Sequence, residues 1–252
     1  MLQSLGWAAV GTGFTFLMTT LGAATVFFFS REPKPRFQKA VLGFAAGVMT
    51  AASVWSLLIP AIEQVKEEGS LPGWFPPAVG MLLGVVFLAA LDTLIPRLRR
   101  GREPKPGQTH ALLMTAITLH NIPEGMAVGL AFALAATGAN LAGAAALALG
   151  IGIQNFPEGA AIALPLRQEG LSRRQAFWGG MLSGSVEPVF GILVVLAAVS
   201  AQAAMPWLLS FSAGAMLYVV VEELIPQAHS RTGTCGFVGG FLVMMILDVA
   251  LG

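Results

Sequence analysis

Apolar residues fall in eight long runs, each cut off by a short cluster of charged or turn-forming residues. The runs cover roughly 4–29, 38–62, 74–96, 110–136, 140–166, 174–200, 204–227 and 234–252. At a rise of about 1.5 Å per residue, each can cross about 30 Å of hydrocarbon. The pattern predicts an all-α membrane protein with eight transmembrane helices. It leaves no stretch for a globular domain, so 1–252 is expected to form a single transmembrane domain. A membrane β-barrel would alternate apolar and polar positions over short strands, and these runs are continuous.

Composition agrees. Apolar residues make up 56% of the chain and charged residues 11%, and mean hydropathy is +0.76. Soluble domains carry about a quarter charged residues, so a soluble enzyme and a disordered chain are both set aside. The single cysteine, Cys235, rules out an internal disulfide framework.

Charge placement then orients the runs. Arg31, Lys34, Arg36 and Lys39 lie between runs 1 and 2; Arg97, Arg99, Arg100, Arg102 and Lys105 between 3 and 4. Arg167, Arg173 and Arg174 lie between 5 and 6, and Arg231 between 7 and 8. All but one of the 14 Lys and Arg residues therefore share a side; Lys66 stands opposite, beside Glu63, Glu67 and Glu68. The positive-inside rule puts the basic connections in the cytoplasm and both termini outside the inner membrane. Run 1 has no basic residue ahead of it, so it is expected to stay as a span and not to be cleaved as a signal peptide. Arg97 to Lys105 is read as a topology determinant, with no nucleic-acid partner implied.

A repeat runs through the chain. Run 2 contains Ala46-Gly47-Val48-Met49 and ends Leu58-Ile59-Pro60; run 7 contains Ala213-Gly214-Ala215-Met216 and ends Leu224-Ile225-Pro226. Gly80, Gly84 and Leu91-Asp92 of run 3 match Gly236, Gly240 and Leu247-Asp248 of run 8 at the same spacing. Runs 1–3 thus resemble runs 6–8, with 4 and 5 between. Equivalent helices are an odd number of spans apart, so the halves are inverted, a 3+2+3 arrangement typical of secondary transporters.

Glu124, Glu158 and Glu187 lie near the centres of runs 4, 5 and 6. An ionisable group in hydrocarbon costs at least about 2.5–3.5 kcal/mol on insertion scales, so each needs a reason. Three converging carboxylates either protonate or share a cation. Their neighbours favour a cation. Run 4 reads His120-Asn121-Ile122-Pro123-Glu124-Gly125 and run 5 reads Gln154-Asn155-Phe156-Pro157-Glu158-Gly159. His120 with Glu124, and Gln154 with Glu158, are i,i+4 pairs about 5–6 Å apart at Cβ, and Asn121 and Asn155 are i+3 partners of the same glutamates. Pro123 and Pro157 are expected to kink each helix and to leave a carbonyl four residues back without its donor. Helix-gluing polar residues would explain one such amide, not two copies of N-x-P-E-G plus a third glutamate. No Ser–His pair and no H-E-x-x-H signature points to hydrolysis, and the chain is read as no enzyme.

These paired motifs resemble the ZIP (Zrt/Irt-like) family of divalent-metal transporters, most closely its bacterial GufA-type branch. The resemblance implies a two-metal site at mid-membrane, with Zn²⁺ as the transported substrate. One ion would take His120, Glu124, Gln154, Glu158 and Glu187. The second would take Met49, Asn121 and Asn155, with Glu124 and Glu158 bridging. Some relatives carry Asp where Asn155 stands, and a neutral ligand there weakens the second site. Three glutamates leave about +1 with two divalent ions and about −1 with one. The His-rich loop of some relatives is missing from 97–109.

The remaining membrane acids suggest a route. Glu63, Ser56 and Asp248 would guide the ion in from outside; Asp92, Glu222 and Glu223, with His229, would guide it out. The expected function is uptake of zinc, and of Fe, Mn, Co or Cd, into the cytoplasm by alternating access; the family resemblance implies that spans 1, 4, 5 and 6 carry the metal past the others. Imidazole, carboxylate and amide donors without thiolate suit these ions. The alternatives are an intramembrane metalloenzyme and a metal-permeable channel. Divalent ions and the lipid bilayer are the expected partners, and the family implies a homodimer.

Overall fold

The computed structural model describes residues 2–28, 34–69, 71–99, 108–136, 138, 141–168, 170–200 and 202–251. Inside the helices, the side chains at 68, 95–99, 108–117, 119–120, 168, 199–200 and 251 lie outside the described set, so the side chains of the basic stretch Arg97–Lys105 and the ring of His120 are not described. The helices are α1 (Leu2–Phe27) and α2 (Pro35–Glu67), α3 (Phe75–Arg99), α4 (Gln108–Ala135) and α5 (Leu141–Gln168). They continue as α6 (Arg173–Ala198) and α7 (Met205–Ala228), and α8 (Arg231–Leu251). No strand occurs among the described residues. Seven of these helices are long and apolar enough to cross a membrane over their described residues, and α4 is apolar from Asn121 to Ala135. The protein is an all-α membrane protein of about eight spans.

Local chemistry sets the ends. Pro35 opens α2 in the first helical turn, where its missing N–H costs nothing. Ser172 and Gln175 form a reciprocal capping box at the start of α6. Gly69, with φ 65°, terminates α2 in the left-handed conformation. Helix α2 runs about a turn beyond its expected end, so Glu63 sits within a helix and not at its tip.

The repeat predicts which helices should pack. If runs 1–3 map onto 6–8 and runs 4 and 5 exchange, a contact between α2 and α8 requires one between α7 and α3. A contact between α1 and α5 likewise requires one between α6 and α4. All four pairs form. The correspondence reaches single atoms. A Cβ on Gly240 would strike the Phe44 carbonyl, and its counterpart on Gly84 the Phe211 carbonyl. Gly47 stands against the Phe237 carbonyl and Gly214 against the Met81 carbonyl. Lipid offers no hydrophobic drive between helices, so such backbone-to-backbone approaches are what hold them.

Three irregularities place the functional side chains, and each has a proline. In α2, Ser53–Leu58 forms a π-turn in which the Ile59 N–H donates to the Val54 carbonyl. In α7, Val220–Leu224 does the same, with Ile225 donating to Val220. Pro60 and Pro226 follow directly and cannot donate to Ser56 and Glu222, so the helix widens by a residue just before them. The first π-turn has 6 residues and the second 5. Met49 and Pro60 are also one residue further apart than Met216 and Pro226. Helix α6 breaks at Ser185, between Arg173–Gly184 and Val186–Ser200. Pro188 cannot donate to the Gly184 carbonyl, which explains the break. By contrast, α4 and α5 run on through Pro123 and Pro157; the loss there is confined to the donors of Leu119 and Ile153.

Candidate metal centre

The break in α6 puts Glu187 in the first turn of the helix Val186–Ser200. Free backbone N–H groups and the helix dipole favour a carboxylate there. Glu187 is fully buried, as are Asn121 and Asn155, while Glu124 and Gln154 are 1% exposed. Glu158 is partly exposed. The two N-x-P-E-G motifs and Glu187 are therefore brought together in the interior of α4, α5 and α6.

Hydrogen bonds show how. Gln154 Nε2 donates to Glu124 Oε1 at 2.7 Å, joining α5 to α4. Asn155 Nδ2 donates to Glu187 Oε1 and Oε2, at 3.0 Å each, joining α5 to α6. Asn121 Nδ2 donates to the Ser183 carbonyl at 3.0 Å, joining α4 to α6. Thr19 Oγ1 donates to Glu187 Oε1 at 3.2 Å and brings in α1. The three carboxylates are also electrostatic neighbours: Glu124 lies within reach of Glu158 and Glu187, and Glu187 within reach of Glu158.

What the amides leave open matters more. Each uses its nitrogen on protein, and each keeps its oxygen. Asn121 Oδ1, Gln154 Oε1, Asn155 Oδ1 and Glu124 Oε2 are all buried with no hydrogen-bond partner. Buried acceptors left unpaired cost about 1–3 kcal/mol each, so these four oxygens are candidates to bind a partner. A small cation with a preference for oxygen and nitrogen donors suits such acceptors. Among the described residues no three His, Cys, Asp or Glu side chains make a metal-ligand cluster by themselves. The donor set reaches ligand number only by counting amide oxygens, with His120 outside the described set. Met49 lies at 2% exposure in the apolar core with Met216 and Met244.

The outlying acids separate into two groups. Ser56 Oγ donates to Asp248 Oδ1 at 2.6 Å. Both line a cavity of about 690 Å³ with Glu63, Gln64 and Glu67 at the end of the bundle away from the basic connections. Asp248 is 8% exposed and its Oδ2 has no partner. Among the described residues, none of the central ones lines this cavity. Asp92 lies close to the Tyr218 hydroxyl, with Glu222 and Glu223 near enough to act on it. His229 is exposed in the α7–α8 connection, where its carbonyl accepts from Lys39 Nζ at 3.2 Å.

Sequence reasoning missed Thr19, whose hydroxyl looks like any other in the Thr12, Thr15, Thr19 series of α1. It also missed the break in α6 and the two π-turns; Pro188, Pro60 and Pro226 were the available signals.

Comparison with known proteins gives a consistent answer. The family model described as ZIP Zinc transporter matches residues 108–248, which hold both motifs and Glu187. The chain is 37% identical to "Zinc transporter ZIP11" of Homo sapiens, covering 100% of both proteins. It is 39% identical to "Zinc transporter GufA" of Myxococcus xanthus, covering 93% of this chain and 94% of the relative. With "Zinc transporter ZIPB" of Bordetella bronchiseptica it is 38% identical, over 98% of this chain and 82% of the relative. A family match over more than half of the chain, with full-length relatives that agree, establishes that this chain belongs to the ZIP zinc transporter family.

Proposed function

We propose that this protein carries divalent metal ions, zinc foremost, across the inner membrane into the cytoplasm, through the polar centre of α4, α5 and α6. The observation that carries the reading is the set of four buried, unpartnered acceptor oxygens, from Asn121, Glu124, Gln154 and Asn155, gathered from two copies of one motif. His120, Glu124, Gln154, Glu158 and Glu187 hold the first ion. Met49, Asn121 and Asn155 contribute to a second position, with Glu124 and Glu158 shared. The names of the relatives, all zinc transporters, support zinc as the cargo.

Alternating access is supported by how helices are tied. Asn121, Gln154, Asn155 and Thr19 bond α1, α4, α5 and α6 to one another. Ser56–Asp248 and Lys39–His229 bond the ends of α2, α7 and α8. One group moving past the other would present the centre first to the cavity of Ser56, Glu63 and Asp248, and then to Asp92, Glu222, Glu223 and His229.

Zinc uptake by liposomes containing the purified protein tests this. A carrier gives saturable uptake that is lost on Glu124→Gln. Flux that never saturates would indicate a channel, and peptide or ester hydrolysis without flux would indicate an enzyme.

A further inference from the structure

We infer that Thr19, on α1, is a positioning residue of the metal centre: its hydroxyl aims the Glu187 carboxylate, bringing α1 into a site that both sequence motifs assign to other helices. This rests on the reading of the centre given above.

Three observations carry it. The first is the bond itself. Thr19 is fully buried, and Oγ1 lies 3.2 Å from Glu187 Oε1 and 3.3 Å from the Thr15 carbonyl. A hydroxyl has one hydrogen, and a charged acceptor holds it better than a carbonyl that already serves the helix. Together with Asn155, this places donors on both Glu187 oxygens, which fixes the plane of the carboxylate.

The second is the fit. A Cβ on Gly159, the residue after Glu158, would strike the Thr19 carbonyl. A Cβ on Gly184, three residues before Glu187, would press on Thr19 Cβ and Cγ2 at 2.9 Å. Thr19 is thus wedged between two glycines, one on α5, which carries Glu158, and one on α6, which carries Glu187. It has little freedom to turn away.

The third is the repeat. Gly125 and Gly159 hold the same place in their motifs. Gly159 stands against the Thr19 carbonyl as Gly125 stands against the Glu187 carbonyl. Thr19 is therefore the position on α1 that corresponds to Glu187 on α6. One half of the molecule presents a carboxylate there and the other presents the hydroxyl that orients it.

The test uses the full-length protein in detergent, with zinc affinity read by competition against a chromophoric chelator. Thr19→Val keeps the wedge and removes the donor; Thr19→Ser keeps the donor. Loss of one hydrogen bond to a charged acceptor predicts about a tenfold weaker zinc affinity for Thr19→Val. Thr19→Ser stays within about twofold of the parent by the same reasoning. In a Glu187→Gln background, Thr19→Val adds little, because the two residues act through one bond. Equal loss in the Val and Ser variants, no loss in either, or a full additive loss in the Glu187→Gln background overturns the proposal. Where Thr19→Val does not fold, Thr19→Ala against Thr19→Ser makes the same comparison. Glu158→Ala separates the two levels: unchanged affinity there defeats the reading of the centre, whereas lost affinity there with an unaffected Thr19→Val defeats only the role of Thr19.

Discussion

One nitrogen of Asn155 serves both oxygens of Glu187, at 3.0 Å each. This contact spans α5 and α6 and leaves Asn155 Oδ1 buried and open. An amide is the residue type that can do both: it steadies a buried carboxylate with its N–H groups and offers an oxygen to a cation. An aspartate in its place could do only the second.

Asn155→Asp therefore makes a two-sided prediction. The metal-free protein should melt at a lower temperature, because two carboxylates then face each other without the amide donor. Zinc should raise its melting temperature by more than it raises the parent's, as tighter binding stabilises the folded state by mass action. Differential scanning fluorimetry with and without zinc reads both effects. Coincident zinc titrations of the two forms would mean that Asn155 is no ligand.

Glu158→Ala should abolish zinc uptake in proteoliposomes while leaving the helical content unchanged. Glu158 is the one central carboxylate with partial exposure, so its removal leaves no dry cavity of the kind that makes core truncations costly. Near-normal uptake would remove Glu158 from the proposed ligand set.

The packing of the repeat yields a paired test. Gly240→Ala should destabilise strongly, since the Phe44 carbonyl occupies the place of the new methyl group. Gly239→Ala, one residue earlier, meets nothing within 4 Å and should be near neutral. Overpacking of this kind costs about 1–3 kcal/mol, and more when the obstacle is backbone. Thermal melts of the two variants in the same detergent check the contrast; equal melting temperatures would contradict the close α2–α8 approach.

Asp248→Asn keeps the shape of the cavity and removes its buried charge. Uptake at low zinc should fall several-fold while the rate at saturating zinc stays close to the parent's, because the residue lies in the cavity and not among the central ligands. Zinc affinity measured in detergent should be unchanged. A drop in that affinity would place Asp248 within the centre itself.

Much of this protein is legible in one dimension. Membrane spans declare themselves by length and apolarity, because hydrocarbon penalises every exception. For the same reason Glu124, Glu158 and Glu187 stand out without any coordinates, and the i,i+4 spacing of Gln154 and Glu158 follows from helix geometry alone. The inverted repeat was visible in Gly80, Gly84 and Asp92 against Gly236, Gly240 and Asp248. These are local or periodic properties, and a linear string carries them.

Other features belong to the third dimension. That Asn155 faces Glu187, that Thr19 enters between Gly159 and Gly184, and that Ser56 bonds Asp248 are relations between helices far apart in the chain. Composition cannot announce them, since a threonine that caps its own helix and a threonine that orients a remote carboxylate read alike. Which atom of an amide is spent on protein and which is left for an ion is decided only when three helices close around it. The chain specifies which polar groups are buried in the membrane, and the packing of small residues decides which of them meet.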